Sequence, residues 1–303
     1  MNVFLTGATG LIGRHLAAAL VARGDTVTGL SRSAGGAAKL AKGVSLVVGD
    51  PSVPGAWQDA LAKADACVHL AGDPIVEGRW TDEKKRRIRD SRVVSTGLVA
   101  ATIAKGGPGV LVSGSAVGWY GDRGDEVLDE GAAVGTGFLP EVCKEWEDAA
   151  APAAARARTV LLRTGIVLSP EGGALPPLVL PFKLFAGGPL GSGRHWQPWI
   201  HLADMVRLVL FALDDARVQG PLNCAGPEPV QNRELARAIG RALNRPSIMP
   251  APELAIRAAL GEAASVVLAS QRVVPKKALD LGFRFEYPTV DAALRDLLGS
   301  RAA

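Results

Sequence analysis

The sequence predicts an α/β fold: a doubly wound parallel sheet with a smaller, mostly helical C-terminal cap. Short apolar segments alternate with segments of helical periodicity as far as Arg163, which is typical of parallel strands covered by helices on both faces. Beyond Arg163 the alternation breaks, because residues 169–198 are rich in Gly and Pro and show no clear period. The 303 residues suffice for one large domain or two smaller ones.

The predicted elements follow one another along the chain. Strands are expected at residues 3–5, 26–31, 44–48, 66–70, 110–113 and 159–163, with a further short strand at 222–226. Helices are expected at residues 11–22, 80–104, 138–154, 203–213, 231–243 and 252–268. We therefore expect residues 1–168, with 199–226 returning to them, to form the sheet domain, and 169–198 and 227–303 to form the cap.

Three glycines follow the first predicted strand at the spacing GxxGxxG. Gly7 permits a sharp turn, Gly10 lets a diphosphate approach the backbone, and Gly13 lets the next helix lie close to the sheet. The free N–H groups and the positive dipole end of that helix then face the anion. The pattern predicts a Rossmann-type dinucleotide site, with a tight structural turn as the alternative. Its expected contacts are Gly7, Thr9, Gly10, Leu11, Ile12 and Gly13.

The end of the second predicted strand indicates which dinucleotide is bound. A site for NAD places Asp or Glu there, whereas this chain has Ser31 and Arg32, a hydroxyl and a guanidinium suited to a 2′-phosphate. We therefore predict NADP(H) as the cofactor, although Arg32 is also compatible with an ordinary surface cation. Asp50 follows the third strand, where it either accepts a hydrogen bond from the adenine amine or caps the next turn.

Small residues follow the fourth predicted strand, where a parallel sheet would let a cofactor pass close to its carboxyl ends. The expected cofactor contacts there are Leu70, Ala71, Gly72 and Asp73.

Charge and composition exclude several other classes of protein. The net charge of +4 is dispersed, and the densest basic cluster, at 84–89, lies among acidic residues on a predicted helix, so no nucleic-acid partner is predicted. Apolar runs such as 206–213 are too short to span a bilayer, and no signal peptide is evident. The three cysteines are scattered and the four histidines lack ligand spacing. We expect a cytoplasmic protein with no metal and no membrane partner.

Several longer motifs carry a family resemblance. TGATGLIG, SGSAVGWYGD, LLRTGIVLS and WIHLADMV resemble the extended short-chain dehydrogenase/reductase superfamily. LAGDPIVEGRW, FLPEVCKEWE and GSGRHWQPWIH resemble its "epimerase family" branch, whose members are often labelled nucleoside-diphosphate-sugar epimerases. The resemblance covers essentially the whole chain. It implies an NADP(H)-dependent oxidoreductase or epimerase that acts on a small polar substrate.

The resemblance also implies a catalytic set from which this chain departs. Ser115 matches the serine that orients the substrate oxygen, and Lys144 matches the lysine of the YxxxK motif. The tyrosine position holds Pro140, which cannot donate a proton. Because Tyr120 and Tyr287 are the only tyrosines, Tyr120 is the nearer candidate acid, and lining the substrate pocket is its alternative role. Lys144 is expected to hold the nicotinamide ribose, or else to be a paired surface lysine.

Three further residues are candidate contacts at the cofactor. Arg92 stands where the superfamily commonly has Asn, and there it would favour an anionic substrate or the cofactor diphosphate, or else pair with Asp90. Arg163 and Ser113, at the ends of the sixth and fifth predicted strands, are also expected to contact cofactor.

The resemblance places Gln197, Trp199 and His201 at the substrate, and Trp80 is added to them. Trp196 and Trp199 would stack on a sugar or base, or pack in the core. His201 would act as an acid or base, or make a structural hydrogen bond near Asp204.

Two functions stay open at this point. The first is the enzyme described above, with a small-molecule substrate and a homodimer left open. The second is a non-catalytic NADP(H) sensor or scaffold, which the replacement of the YxxxK tyrosine by Pro140 favours.

Overall fold

The computed structural model describes residues 1–76 and 78–299. The strands in chain order are β1 (Asn2–Thr6), β2 (Thr26–Ser31), β3 (Ser45–Val48), β4 (Ala66–His69), β5 (Val110–Ala116), β6 (Val127–Leu128), β7 (Arg158–Thr164), β8 (Ile166–Leu168), β9 (Trp196–Gln197), β10 (Trp199–His201), β11 (Gly220–Cys224), β12 (Val230–Gln231) and β13 (Arg272–Val273).

The α-helices in chain order are α1 (Leu11–Ala22), α2 (Trp57–Ala62), α3 (Asp82–Lys105), α4 (Phe138–Ala150), α5 (Leu175–Lys183), α6 (Leu202–Asp214), α7 (Asn232–Leu243), α8 (Glu253–Leu260), α9 (Ala264–Leu268), α10 (Lys276–Asp280) and α11 (Val290–Leu298). Short 3-10 turns occupy Ala34–Lys39, Val117–Tyr120, Ala151–Ala155 and Gly261–Ala263.

Seven of the described strands form one parallel sheet in the order β11-β7-β5-β4-β1-β2-β3. The strand order reverses between β1 and β4. In an open α/β sheet, the carboxyl ends of the strands on either side of such a reversal flank a crevice. The predicted doubly wound parallel sheet is confirmed.

Side-chain alternation along β1 builds a separate core on each face of the sheet. Val3 and Leu5 pack with buried residues of α1 and α6, whereas Phe4 points to the opposite face and packs with α2 and α3. Successive strand residues face opposite sides, so a continuous apolar run is buried only when both faces are covered.

The region after β11 is largely helical, as predicted, and it shares a core with α5, which precedes β11 in the chain. Val179 and Phe182 of α5, Ile239 of α7 and Leu294 of α11 pack together in this core. The segment 169–198, expected to lack a period, contains α5, whose prolines near its start are tolerated in a first helical turn. The helix expected at 252–268 is broken at Gly261, where φ is +60°.

Close backbone packing holds the turn between β1 and α1. Gly7 has a φ of +69°, and a Cβ there would lie 2.7 Å from the Leu70 carbonyl oxygen. A Cβ on Gly13 would lie 2.1 Å from the Gly7 carbonyl oxygen. The tight turn therefore needs glycine at both positions.

No helix in the described part of the chain combines the length and apolarity needed to cross a membrane.

Replacing Gly13 with Ala should force the turn apart. We expect the free energy of unfolding to fall by about 1–3 kcal/mol, the usual cost of an overpacked contact. Gly97→Ala is the matched control, because Gly97 lies inside α3 and a Cβ there would meet nothing within 4 Å. It should be neutral, or stabilising by up to about 1 kcal/mol. Urea unfolding measures both, and equal effects would contradict the packing argument.

Candidate functional site

A cleft of about 910 Å³ opens at the carboxyl ends of the central strands. Its wall begins with the turn after β1 and continues with the segment after β4, the start of α4 and the C-terminal helices α8 and α9. Apolar side chains predominate, among them Ile75, Trp80, Phe138, Ile166 and Leu268. Its size and composition are those of a small-molecule or cofactor site.

The amino end of α1 faces this cleft without a capping side chain. Gly10 is the N-cap residue, no side chain accepts a hydrogen bond from the first turn, and that turn contains no acidic residue. Gly7, Gly10, Leu11, Ile12 and Gly13 all line the cleft. An anion placed there would satisfy the free N–H groups, so the turn fits a dinucleotide diphosphate.

The residues expected at the adenosine end lie outside the cleft lining. The Ser31 hydroxyl donates to the Ser33 carbonyl oxygen at 3.1 Å. Thr9, which was expected to contact the cofactor at the glycine turn, is half-buried and also lies outside the lining. Arg32 is exposed and forms no ion pair with any described residue, so its guanidinium is available to a phosphate. Asp50 accepts a hydrogen bond from the Ser52 N–H at 2.8 Å, which is the turn-capping contact of its two alternatives.

The end of β4 is held by a hydrogen-bond chain that the sequence did not reveal. His69 is completely buried between the Thr6 hydroxyl at 2.7 Å and the Ser95 hydroxyl at 3.1 Å. Burial lowers the pKa of His69 to about 4, so the ring is neutral at pH 7. Thr6 also accepts hydrogen bonds from the N–H groups of Leu70 and Ala71. This chain of hydrogen bonds fixes the backbone that passes beneath the cleft.

Two of the four predicted contacts after β4 line the cleft, namely Leu70 and Gly72. The N–H of Ala71 donates to the Thr6 hydroxyl, as described above. Asp73 accepts a hydrogen bond from the Lys84 ammonium at 2.6 Å, so its carboxylate is committed to an ion pair.

Three of the predicted site residues join a buried polar network instead of lining the cleft. Glu147 lies at its centre and accepts a hydrogen bond from the Ser115 hydroxyl at 2.7 Å. Arg163 forms a two-point ion pair with Glu147, with both N–O distances 2.9 Å. The Tyr120 hydroxyl donates to the Asn223 side-chain oxygen at 2.7 Å and accepts from Arg163 at 3.2 Å.

This network corrects the catalytic expectation for Tyr120. Its side chain is fully buried, its hydroxyl is committed on both sides, and burial raises its pKa to about 12. Ser115 and Arg163 are turned toward Glu147 in the same way and do not line the cleft. Glu147 explains the placements of Ser115 and Arg163, because a buried carboxylate attracts the nearest donors. Ser113 is also buried, and its hydroxyl donates to the Gly114 carbonyl oxygen at 3.4 Å.

Lys144 also departs from its expected place. Its ammonium group pairs with Asp148, one helical turn further along α4, at 2.6 Å, and its side chain is 56% exposed. The cleft side of α4 is formed instead by Pro140, Val142, Cys143 and Trp146. The geometry matches the alternative of a paired surface lysine.

The predicted substrate residues divide into two groups. Trp80 and Gln197 line the cleft, whereas Trp199 is buried in the C-terminal core and donates to the Glu228 carbonyl oxygen at 3.2 Å. His201 accepts a hydrogen bond from the Ala203 N–H at 3.0 Å, caps α6, and stacks on Tyr287 with ring centroids 3.8 Å apart. Trp199 and His201 therefore take the structural roles among their alternatives.

Other cleft residues were missed by the sequence reasoning. Asp122 and Gln271 line it, as do Arg257 and Glu262 of the C-terminal helical segment. Glu262 forms an ion pair with Lys85 of α3, which ties that segment to the sheet domain. Asp122 ends the motif SGSAVGWYGD, which gives no sign that its carboxylate reaches the cleft. No local motif marks Arg257, Glu262 or Gln271, because they reach the cleft from the distant C-terminal segment.

The residues that the structure describes contain no group of three or more His, Cys, Asp or Glu side chains placed to hold a metal ion.

A glycine turn and an uncapped helix end, set where the strand order reverses, define a dinucleotide-binding α/β protein. Residues 3–225 match the NAD dependent epimerase/dehydratase family, and the chain belongs to this family. Residues 251–297 match a domain of unknown function. The resemblance seen in the motifs is confirmed.

Relatives match along almost the entire chain. The chain is 42% identical to a chloroplastic epimerase family protein SDR39U1 homolog of Arabidopsis thaliana, over 98% of this chain and 87% of that protein. The crystal structure of human epimerase family protein SDR39U1 with NADPH matches with a TM-score of 0.88 at 32% identity, over 98% and 99% of the two chains. A nucleoside-diphosphate sugar epimerase from Corynebacterium glutamicum matches with a TM-score of 0.80 at 36% identity, over 99% of this chain and 58% of that one.

Removing the Arg163 guanidinium should destabilise the fold strongly. Arg163→Met leaves the buried Glu147 carboxylate without its cation, and we expect the free energy of unfolding to fall by about 3–5 kcal/mol. Arg89→Met is the matched control, because it breaks an exposed ion pair with Glu145 on the same helix α4, for an expected loss of under about 1 kcal/mol.

Urea unfolding of both variants distinguishes these costs. The double variant Arg163→Met/Glu147→Met should recover much of the loss, because no uncompensated buried charge remains. A loss for Arg163→Met as small as that for Arg89→Met would show that the network does not support the fold.

Proposed function

We propose that the protein is an NADP(H)-dependent oxidoreductase or epimerase that acts on a small polar substrate in the 910 Å³ cleft. The observation that carries the proposal is the uncapped amino end of α1, opening into that cleft beside the glycine turn. The human relative, which is similar over 98% of this chain, was crystallised with NADPH, and this supports the choice of cofactor.

The chain's own groups divide the binding of the cofactor between two ends of the site. The N–H groups at the start of α1 bind the diphosphate, and Gly10 leaves space for it. Arg32, exposed at the end of β2, contacts the 2′-phosphate. Leu70 and Gly72 form the wall along which the cofactor lies. When bound, a nicotinamide dinucleotide supplies hydride transfer.

Proton transfer at the reacting end does not depend on a phenol. Tyr120 and Ser115 belong to the buried network around Glu147, and Lys144 lies at the surface. We assign the proton relay to a water molecule held in the cleft, where Asp122 and Gln271 supply polar groups.

Further assignments complete the proposal. The C. glutamicum relative, described as a nucleoside-diphosphate sugar epimerase, supports a nucleotide sugar as one substrate class.

We keep the division into a sheet domain (1–168 with 199–226) and a cap (169–198 and 227–303), since α8 and α9 of the cap line the cleft. A cytoplasmic location and a homodimer stay predictions.

A second candidate function is a non-catalytic NADP(H) sensor or scaffold. The specific observation that favours it is the state of the three family positions: Pro140 replaces the tyrosine, Lys144 pairs with Asp148, and Ser115 is held by Glu147. A protein with these three positions so arranged would bind the cofactor but would have no side chain at them that could donate a proton to a substrate.

Removing the Arg32 side chain should weaken NADPH binding selectively. A charged hydrogen bond contributes about 1.5–3 kcal/mol, so Arg32→Ala should raise the Kd for NADPH by roughly tenfold to a hundredfold. The Kd for NADH should not change, because NADH lacks the 2′-phosphate. Lys105→Ala, which removes an exposed cation at the C-terminal end of α3, is the control and should change neither. Calorimetric titration that gave equal weakening for both cofactors would refute the phosphate contact.

Turnover separates the enzyme from the sensor. The protein is incubated with a small-molecule cell extract and NADPH deuterated at nicotinamide C4, and metabolites are followed by liquid chromatography and mass spectrometry. We expect protein-dependent deuterium transfer to a metabolite, or interconversion of two isomeric metabolites. Heat-denatured protein is the control. NADPH binding with neither change would favour the sensor.

A further inference from the structure

Two arginines of this chain are largely buried near the reacting end, and they differ in their partners. Arg163 is neutralised by Glu147 through two hydrogen bonds. Arg92, on α3, forms no ion pair with any of the residues in 1–76 and 78–299. Arg257, the other arginine in the cleft wall, pairs with Glu253 at 2.8 Å. Arg92 is thus the arginine of the cleft whose charge the described residues leave uncompensated.

The guanidinium of Arg92 is held in place by neutral groups. It donates to the Ile88 carbonyl oxygen at 2.9 Å, and its carbon lies 5.2 Å from the centre of the Trp146 ring. A Cβ on Gly72 would lie 3.4 Å from the same carbon, so the missing side chain there leaves room for it. These contacts fix its position and use only part of its five N–H donors.

Among the described residues, the carboxylate whose charge acts on Arg92 is already committed elsewhere. Asp73 accepts a hydrogen bond from Lys84 at 2.6 Å, and Arg92 feels it only at longer range. Burial lowers the pKa of the Arg92 guanidinium, which shows that its surroundings disfavour the charge. A buried charge is costly unless a counter-charge approaches it, and here the open direction is the cleft.

We propose that Arg92 binds an anionic oxygen group of the substrate, a carboxylate or a phosphate, beside the wall formed by α4. This proposal rests on the proposed function and narrows its substrate class to anions. The planar guanidinium suits two-point binding of such a group. Binding would compensate the charge that the fold leaves open, so Arg92 serves the substrate and not the cofactor diphosphate, which is bound at α1.

The test compares uncharged and anionic ligands of one shape on the NADPH-loaded protein. Benzoate and phenyl phosphate are the anions, and benzamide is the neutral match for benzoate; the apolar cleft wall accommodates the common ring. We expect at least one anion to bind about tenfold or more tightly than benzamide by calorimetry, since one charged hydrogen bond contributes at least that much.

Variants of α3 assign the preference to Arg92. Arg92→Gln should abolish it, Arg92→Lys should retain part of it, and Arg89→Gln, an exposed position on the same helix, should preserve it. Thermal unfolding checks that each variant folds, and Arg92→Lys carries the test if Arg92→Gln does not. The Kd for NADPH should stay within about threefold of the unsubstituted value in every variant, which is a change in binding free energy of less than about 1 kcal/mol.

Three results would overturn the proposal. The first is that the unsubstituted protein binds neither anion more tightly than benzamide. The second is that the preference for an anion survives in the Arg92 variants. The third is that those variants lose affinity for NADPH, which would place Arg92 at the cofactor. Failure of the unsubstituted protein to bind NADPH at all would instead refute the proposed function, so the two failures are distinguishable.

Discussion

The contact of Gly13 with the Gly7 carbonyl is the constraint on which the site depends. It brings α1 so close to β1 that the first helical turn points into the cleft, with no side chain to cap it. The helix end therefore carries unsatisfied N–H groups and a positive dipole at the edge where the strand order reverses. A fold that leaves these groups open beside a large apolar cleft is complete only with an anion there.

The residues that the family resemblance marks as catalytic candidates are turned away from the cleft in this chain. Glu147 draws Ser115 and Arg163 into a buried network that also engages Tyr120. Such a buried network stabilises the fold only while every polar group in it has a hydrogen-bond partner. The positive charge expected from Lys144 is at the surface, and Arg92 on α3 places a cation at the cleft instead.

Local patterns predicted most of the fold, because each depends on neighbours in the sequence. The apolar run of β1, the glycine spacing and the periodicity of α1 need only about twenty residues. The site was less predictable, because its partners come from far along the chain. The sequence allows Trp199 to stack on a ligand, but in the structure it donates to Glu228 and is buried in the C-terminal core. The sequence allows His201 to act as an acid or base, but in the structure it stacks on Tyr287.

The most direct measurement of the central claim is a titration of the isotope-labelled protein with NADPH, followed by amide proton and nitrogen chemical shifts. If the diphosphate lies on the amino end of α1, the largest changes will fall on the amides of residues 10–13 and on those that flank Gly7. Binding that leaves these amides unchanged, while others shift, would contradict the account.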